Sequence, residues 1–445
     1  MNKFILHIMS YSNEDAIIWS NITYSYNWLL SNINNIETKL NKYGINNGAI
    51  VEIIGDCSPT IIALLFALVN KQCIIIPYTI SSLKKQPDFH KIMLPEFSII
   101  VDKKGLLKIN QYAYQKNKHK LLIQLAQKNH PGLILFTSGS TGNPKAIVHD
   151  WNLLINKYNK KNNTNRVLAF LLFDHIGGLN TILYTLYNGG CLVIPNNIST
   201  DTVCLSIQNY KVDLLPTSPT FLNLLIINKC HIRYDLSSLK KITYGTESML
   251  PILLKTLHKI FPNTRFLQTY GLSEMGIINV SSESSDSLGI KLNPKFYRIV
   301  NDILEVKTNT AMLGYLNFQD TFLEKGWFCT GDMVKQEGDY FYILGRVSEI
   351  INVGGLKVFP LHIENIIKQM NYVDDVVVIG EKSSITGQIV KAIIKLSIDE
   401  SMLDFRKRMR KFCMEKLQDF EIPQKIVLVS KLDYGDRMKK MKNLI

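Results

Sequence analysis

The chain has 445 residues, 46% of them hydrophobic and 20% charged, with a formal net charge of +14; this is the make-up of a globular protein of two or three domains. No apolar run reaches the roughly 18 residues a membrane helix needs, since the longest, Thr60 to Val69, stops at Asn70 and Lys71, so no integral membrane segment is expected. The lysines are scattered, without a nucleic-acid motif or interleaved aromatics, so the charge predicts no nucleic-acid partner but a solvated basic surface that steers small anions.

Along the chain, Phe4 to Met9, interrupted by His7, is too short for a typical signal peptide, and a cytoplasmic location is expected. Ala49 to Ile54 reads as a buried strand, Ser58 to Asn70 as an apolar helix and Cys73 to Pro77 as the next strand. The pattern returns as a strand over Arg166 to Phe173, a helix near Asn180 to Tyr187 and a strand over Cys191 to Pro195. Strand, helix, strand in succession predicts parallel α/β architecture. The last hundred residues differ. Asp339 to Leu344, Glu349 to Val353, Asp375 to Ile379 and Ile389 to Leu396 read as strands, Leu361 to Gln369 as a helix, and Leu403 to Phe420 as a basic amphipathic helix. This predicts a compact α+β unit with its boundary near Arg346 to Ser348, hence domains 1–347 and 348–445. The seven cysteines (Cys57, Cys73, Cys191, Cys204, Cys230, Cys329 and Cys413) are odd in number and form no CxxC, which argues against a disulfide framework or zinc site and fits a reducing compartment.

The most informative stretch is Leu133-Ile-Leu-Phe-Thr-Ser-Gly-Ser-Thr-Gly-Asn-Pro-Lys145. A buried strand runs into six residues that are only Thr, Ser and Gly: Thr137, Ser138, Gly139, Ser140, Thr141 and Gly142. Glycines let backbone N–H groups converge on an anion. The hydroxyls add donors, and Lys145 adds a charge suited to polyphosphate. It is not a Walker A loop, because here the lysine follows Asn-Pro.

The segment TSGSTGNPKA resembles the signature loop of the adenylate-forming superfamily, which comprises acyl- and aryl-CoA synthetases, nonribosomal-peptide adenylation domains and firefly luciferase. Other motifs resemble the family's in the same order. Thr23 to Tyr26 and Gly48 to Val51 resemble its N-terminal segment, and Leu172-Phe-Asp-His-Ile-Gly-Gly178 its HxxG motif, with His175 beside the acid pocket. Tyr244-Gly-Thr-Glu247 stands where the family has GGAP, and keeps the glycine; Gly245 and Thr246 would wall the adenine site. Gln268-Thr-Tyr-Gly-Leu-Ser-Glu274 resembles YGxTE. The resemblance implies Tyr270 and Gly271 against adenine, Ser273 on phosphate and Glu274 as the Mg²⁺ ligand, in keeping with that ion's preference for a carboxylate plus phosphate oxygens. Gly326-Trp-Phe-Cys-Thr-Gly-Asp332 resembles WxxTGD, with Asp332 on the ribose hydroxyls and Arg346 on the ribose or phosphate side.

Gly345 to Glu364 matches the family's hinge motif without a gap, with Ser348 at the hinge and Val353, Gly354, Gly355 and Lys357 in the loop that meets the thiol acceptor. The family's terminal catalytic lysine has two counterparts. Ungapped counting from Ile422 to Lys425 lands on Lys439, and Lys440 is its rival. The resemblance therefore implies an AMP-forming acyl-CoA synthetase-type ligase. Its fold would be a large domain of parallel-sheet α/β subdomains with a small mobile α+β lid. It would use ATP, Mg²⁺ and coenzyme A, or a carrier-bound phosphopantetheine, to activate a carboxylic acid. The length and the Lys145-Ala146 and His149 positions resemble succinylbenzoate–CoA ligases and other compact acyl-CoA synthetases. Leu179, Phe221, Met275 and Ile277 predict an apolar acid pocket. Two other readings are open: an amino-acid adenylating enzyme that loads a carrier protein, with Asp174 on the ammonium, and a non-catalytic nucleotide-binding descendant. Asp174 and Glu247 depart from the acyl-ligase pattern.

Overall fold

The strand-forming runs sort into four sheets of five or more strands and a two-stranded ribbon. The computed structural model describes residues 2–85, 93–112, 118–138, 144–158, 165–319, 322–323, 326–435 and 440.

One seven-stranded sheet runs, edge to edge, Arg265–Gln268, Lys241–Tyr244, Leu214–Thr217, Arg166–Leu168, Cys191–Ile194, Asp15–Trp19 and Ile22–Ser25. All its neighbours are parallel except the last pair. The second runs Gly314–Tyr315, Pro144–Asp150, Gly132–Ser138, Ile74–Tyr78, Ile50–Ile54, Phe97–Val101 and Leu107–Gln111. Its central strands are parallel and wholly buried, which is why they read as unbroken Ile/Val runs.

Between the two sheets lie the helices Pro59–Asn70, Tyr26–Lys42 and Ile176–Tyr187, which share one core with both. The first starts cleanly because Ser58 accepts a hydrogen bond from the Ile61 N–H at 3.3 Å and Pro59 needs no donor there. Ile61 to Val69 are at most 1% exposed, and each of their Ile, Leu, Phe and Val side chains contributes on the order of 1.5–3 kcal/mol over exposure.

A third, six-stranded sheet is antiparallel and built from Ser281–Ser282, Ile290–Lys291, Tyr340–Arg346, Phe328–Glu337, Ile303–Val306 and Tyr297–Val300. The strand expected at 339–344 lies just before the 347/348 boundary. In the structure Tyr340–Arg346 pairs with Phe328–Glu337, so those residues belong to this sheet. The last sheet holds Leu356–Val358, Ile351–Val353, Gly387–Leu396, Val373–Ser383 and Lys425–Val429. The helices Pro360–Ile367 and Met402–Met414 pack on it in a separate core. The expected α/β class, with a small α+β unit at the C-terminal end, is what the molecule shows.

Two elements are shorter than expected. The strand from Arg166 stops at Leu168, and 171–175 form turns that lead into the helix starting at Ile176. The basic helix ends at Met414, where the Lys416 and Leu417 N–H groups both turn back to the Cys413 carbonyl.

Candidate active site

Gly132–Ser138 and Pro144–Asp150 pair antiparallel, Thr137 opposite Lys145, and so bring together the two ends of the Ser/Gly segment. Gly139, Ser140, Thr141 and Gly142, with the Ser138 side chain, lie outside the described residues. On the second of these strands the Lys145 Nζ sits 5.2 Å from the ring centres of both Tyr315 and Phe318. Both aromatics come from the edge strand Gly314–Tyr315 and the segment after it. Asn317 fastens that segment by accepting from the Ala146 N–H at 2.9 Å and donating to the Pro144 carbonyl at 2.8 Å. The Tyr315 hydroxyl donates to Glu274 Oε1 at 2.9 Å. One tyrosine thus lies between the hairpin's lysine and the carboxylate of the YGxTE-like segment.

Tyr270–Leu272 and Gly276–Ile278 form the two-stranded ribbon, with Ser273 and Glu274 in its turn. His149, fully buried on the hairpin strand, donates from Nε2 to the Ser273 carbonyl at 2.7 Å and so ties that turn to the hairpin. Burial pushes the His149 imidazole down to about 4, so it is neutral at pH 7, and its Nδ1 has no hydrogen-bond partner among the described residues.

Gly245, Tyr270 and the helix beginning at Pro219 all follow directly on the carboxyl ends of neighbouring parallel strands, where open α/β sheets bind ligands. Tyr270 and Arg346 converge on Asp332. The tyrosine hydroxyl donates to Oδ2 at 2.7 Å and the guanidinium Nε to Oδ1 at 3.1 Å. Burial, reinforced by Asp332, raises the Tyr270 phenol well above its ordinary value. Burial alone would lower the Arg346 guanidinium, but Asp332 and its neighbours outweigh it and raise it. Each Asp332 oxygen keeps a second lone pair for an incoming hydroxyl.

Two glycines of the motifs are dictated by crowding. A Cβ on Gly245 would lie 2.3 Å from the Thr269 Oγ1, and one on Gly178 would lie 2.2 Å from the Leu172 carbonyl oxygen. Thr246 has φ +70°, a strained conformation for a β-branched residue. Glu247 is tied down by the Thr220 Oγ1, which donates to Oε2 at 2.6 Å. His175 stands at the N-cap position of the helix Ile176–Tyr187, with its Nε2 3.8 Å from Asp174 Oδ1. Asp174 is buried and accepts from both the N–H and the hydroxyl of Thr79, each at 3.1 Å, which joins the two seven-stranded sheets. Leu179, Phe221 and Met275 are buried in three separate cores.

Ser348 lies in the single turn Val347–Glu349 between the third and fourth sheets. Val353 pairs with Leu356 across Gly354 and Gly355, whose φ values of +59° and +89° are those of a type I′ turn. Both glycines, Leu356 and Lys357 are exposed. Lys439 lies outside the described residues. The Lys440 Nζ sits 2.7 Å from Asp375 Oδ1 and donates to the Val376 carbonyl at 2.9 Å. Burial alone would lower this ammonium, but Asp375, Glu364 and Glu247 outweigh it and hold its pKa above the ordinary value.

Among the described residues no three His, Cys, Asp or Glu side chains gather as a metal cage. The donor set at Glu274 instead suits an ion that takes most of its ligands from phosphate and water. One carboxylate oxygen is held by Tyr315, and the other has no partner among the described residues. Tyr315, Phe318 and Asp375 escaped the sequence reading. The first two carry no signal beyond being aromatic, and Asp375 is one of two adjacent aspartates, Asp374 and Asp375, at the start of an apolar strand, with nothing local to say which is buried.

Residues 73–308 match the family profile described as "AMP-binding enzyme", and residues 362–434 match "AMP-binding enzyme C-terminal domain". The chain is 24% identical over 452 residues to a putative long chain fatty acid-CoA ligase VraA of Staphylococcus aureus, covering 96% of this chain and 93% of that one. It is 27% identical to the indoleacetate–CoA ligase of Aromatoleum aromaticum over 68% of this chain and 64% of that protein. Among solved structures, ATP-bound MatB from Rhodopseudomonas palustris superposes with a TM-score of 0.80 at 19% identity, covering 98% of this chain and 96% of that one. The Bacillus subtilis o-succinylbenzoate CoA synthetase does so at 0.75 and 18%, covering 100% and 97%. The domain match over more than half its length, together with the ordered motifs and the site they build, makes this chain a member of the AMP-binding enzyme family.

Proposed function

We infer that this member of the family is an AMP-forming acid–thiol ligase of the acyl-CoA synthetase type. An oxygen of the acid's carboxylate attacks the α-phosphorus of ATP. The bond from that phosphorus to the bridging oxygen breaks, and pyrophosphate leaves. The thiol sulfur then attacks the acyl carbon, and AMP departs with the electron pair of the acyl–oxygen bond. The observation that carries this reading is the Lys145–Tyr315–Glu274 contact. It sets a cation without a carboxylate partner among the described residues beside a carboxylate with one oxygen open.

Two anions must meet in the first step, so the residues' task is electrostatic. The turn from Thr137 to Lys145 cradles the triphosphate, Ser273 contacts it, and Asp332 with Arg346 holds the ribose beside Tyr270, Gly271, Gly245 and Thr246. Mg²⁺, held by Glu274, neutralises phosphate charge when bound. His175 borders the acid, and Lys439 offsets the charge that builds at phosphorus. The molecule divides at 347/348, and rotation about Ser348 brings the Val353–Lys357 loop to the site for transfer. Exposure of Gly354 to Lys357 while Lys440 is packed against the large unit supports such an alternation.

Coenzyme A is the acceptor best supported by the relatives, and an apolar acyl or aryl acid is the substrate class. The burial of Asp174 against Thr79 speaks against a role on a substrate ammonium. Free cysteines and a need for ATP suit the cytoplasm. The test is ATP–pyrophosphate exchange over fatty, aryl and amino acids, followed by thioester formation with coenzyme A. Acid-dependent exchange is expected with fatty or aryl acids. Exchange with amino acids alone, or with none of the panel, overturns the reading.

A further inference from the structure

The resemblance leaves two adjacent lysines, 439 and 440, as counterparts of one catalytic residue, and leaves Glu247 without a role. Both problems meet at one place. Asp375 lies inside the strand Val373–Ser383 and is 0% exposed. Its Oδ1 takes the Lys440 ammonium at 2.7 Å and its Oδ2 accepts from the Tyr434 hydroxyl at 2.9 Å. Tyr434 also pairs across an antiparallel bridge with Lys440. With the Val376 carbonyl as a further acceptor at 2.9 Å, the Lys440 ammonium is enclosed by the small sheet.

The backbone of the same residue faces the other way. Its N–H donates to Glu247 Oε1 at 3.2 Å, while Glu247 Oε2 is held by Thr220 at the start of the helix Pro219–Ile227. Glu247 stands two residues after Gly245, in the segment expected to wall the nucleotide. Nearby, the Ile252 N–H donates to Asn365 Oδ1 at 3.3 Å, and Leu361 packs into the large unit's second core. The chain Thr220–Glu247–Lys440–Asp375–Tyr434 is therefore a continuous polar link between the two units.

We propose that Lys440 is a positioning residue rather than the lysine that meets the phosphate. Its ammonium is spent on Asp375, and its backbone, held by Glu247, seats the C-terminal tail against the nucleotide wall for adenylation. Glu247 and Asp375 are the two ends of this clasp. The inference rests on the adenylation reading above and adds that the clasp serves only the first half-reaction, since it has to open before the acceptor loop comes in. A buried ion pair can be replaced by apolar side chains of similar volume with little loss, whereas removing one partner strands a charge. An anchor and a chemical participant are thereby separable.

The test uses full-length Lys440→Met, the double variant Lys440→Met/Asp375→Leu, Glu247→Ala and Glu247→Gln. Each is assayed for ATP–pyrophosphate exchange and, separately, for thioester formation from a preformed acyl-adenylate and coenzyme A. Lys440→Met is expected to lose at least tenfold in exchange, and the double variant to return within about threefold of wild type. Glu247→Ala is expected to lose about tenfold in the exchange kcat with ATP KM nearly unchanged. Glu247→Gln, which keeps an acceptor, should lose less than threefold, and transfer from the preformed adenylate should hold in all four. A folded double variant that stays inactive would mean the Lys440 ammonium takes part in the chemistry, and the proposal falls. It falls equally if both half-reactions decline together or if Glu247→Ala exchanges like wild type. Amide hydrogen exchange at Lys440 without ligands supplies an arm that needs no acid. If the wild-type protein activates none of the acids, yet the Lys440 amide exchanges faster in Glu247→Ala, the clasp stands and the ligase reading fails. An amide indifferent to Glu247 sinks the clasp alone.

Discussion

Lys145 and Lys440 are both lysines beside a carboxylate, and the molecule treats them in opposite ways. Lys145 is set over two aromatic rings, and the nearby Glu274 gives one oxygen to Tyr315 and keeps the other open. Lys440 is closed off, its ammonium held by Asp375 and the Val376 carbonyl of the small sheet. Cation–π contact holds a charge in place while leaving its hydrogen-bonding capacity unspent. A buried carboxylate fixes the charge and consumes it. The first arrangement leaves the charge available, and the second commits it. His149 adds a third treatment, a basic group buried in its neutral form.

The largest effect that could break this contrast is at the closed site. Asp375→Ala strands the Lys440 ammonium and should cost about 3–5 kcal/mol of stability in urea unfolding. A cost under about 1 kcal/mol would mean Lys440 is not committed to Asp375. At the open site, Lys145→Ala should leave unfolding nearly unchanged but lower ATP–pyrophosphate exchange by about 10²–10³. A stability loss without an exchange defect would reverse the assignment of the two lysines.

The neutral histidine predicts a pH dependence. The His149 imidazole falls from an ordinary 6.5 to about 4 on folding. Between those values the unfolded chain binds a proton that the folded chain refuses. Stability is therefore complete above pH 6.5 and declines as pH falls toward 4, by on the order of 3 kcal/mol. His149→Gln should flatten that part of the urea-midpoint profile, and an unchanged slope would show the ring is not buried neutral. The smallest effect sharpens the open site. Tyr315→Phe removes one donor to Glu274 and should slow exchange threefold to tenfold, about 1 kcal/mol; a loss as large as that of Lys145→Ala would make the hydroxyl more than a spacer.

The parallel sheets were legible because their strands are buried on both faces and leave unbroken apolar runs, as at Ile50–Ile54 and Ile74–Tyr78. The antiparallel sheet over 281–346 was legible only at Asp339 to Leu344, since several of its strands are short and half exposed, as Tyr297–Val300 is. Motif residues such as Gly245 and Asp332 could be named from the sequence because chemistry restricts the residue type at those places. Their supports could not. Tyr315 meets Glu274 across 41 positions, and Asp174 meets Thr79 across 95; no local pattern announces such partners. Glu247 looked like an oddity for the same reason, its partner lying 193 positions away.

The passage from Arg346, last residue of one sheet, to Ile351, first of the next, is only five peptide steps, roughly 18 Å at full stretch. So short a leash forbids the C-terminal unit from drifting off and makes any excursion a swivel around a nearly fixed point. Arg346, at the near end of that leash, grips Asp332. The carboxylate assigned to the sugar and the angle of the smaller unit are thus felt through a single arginine.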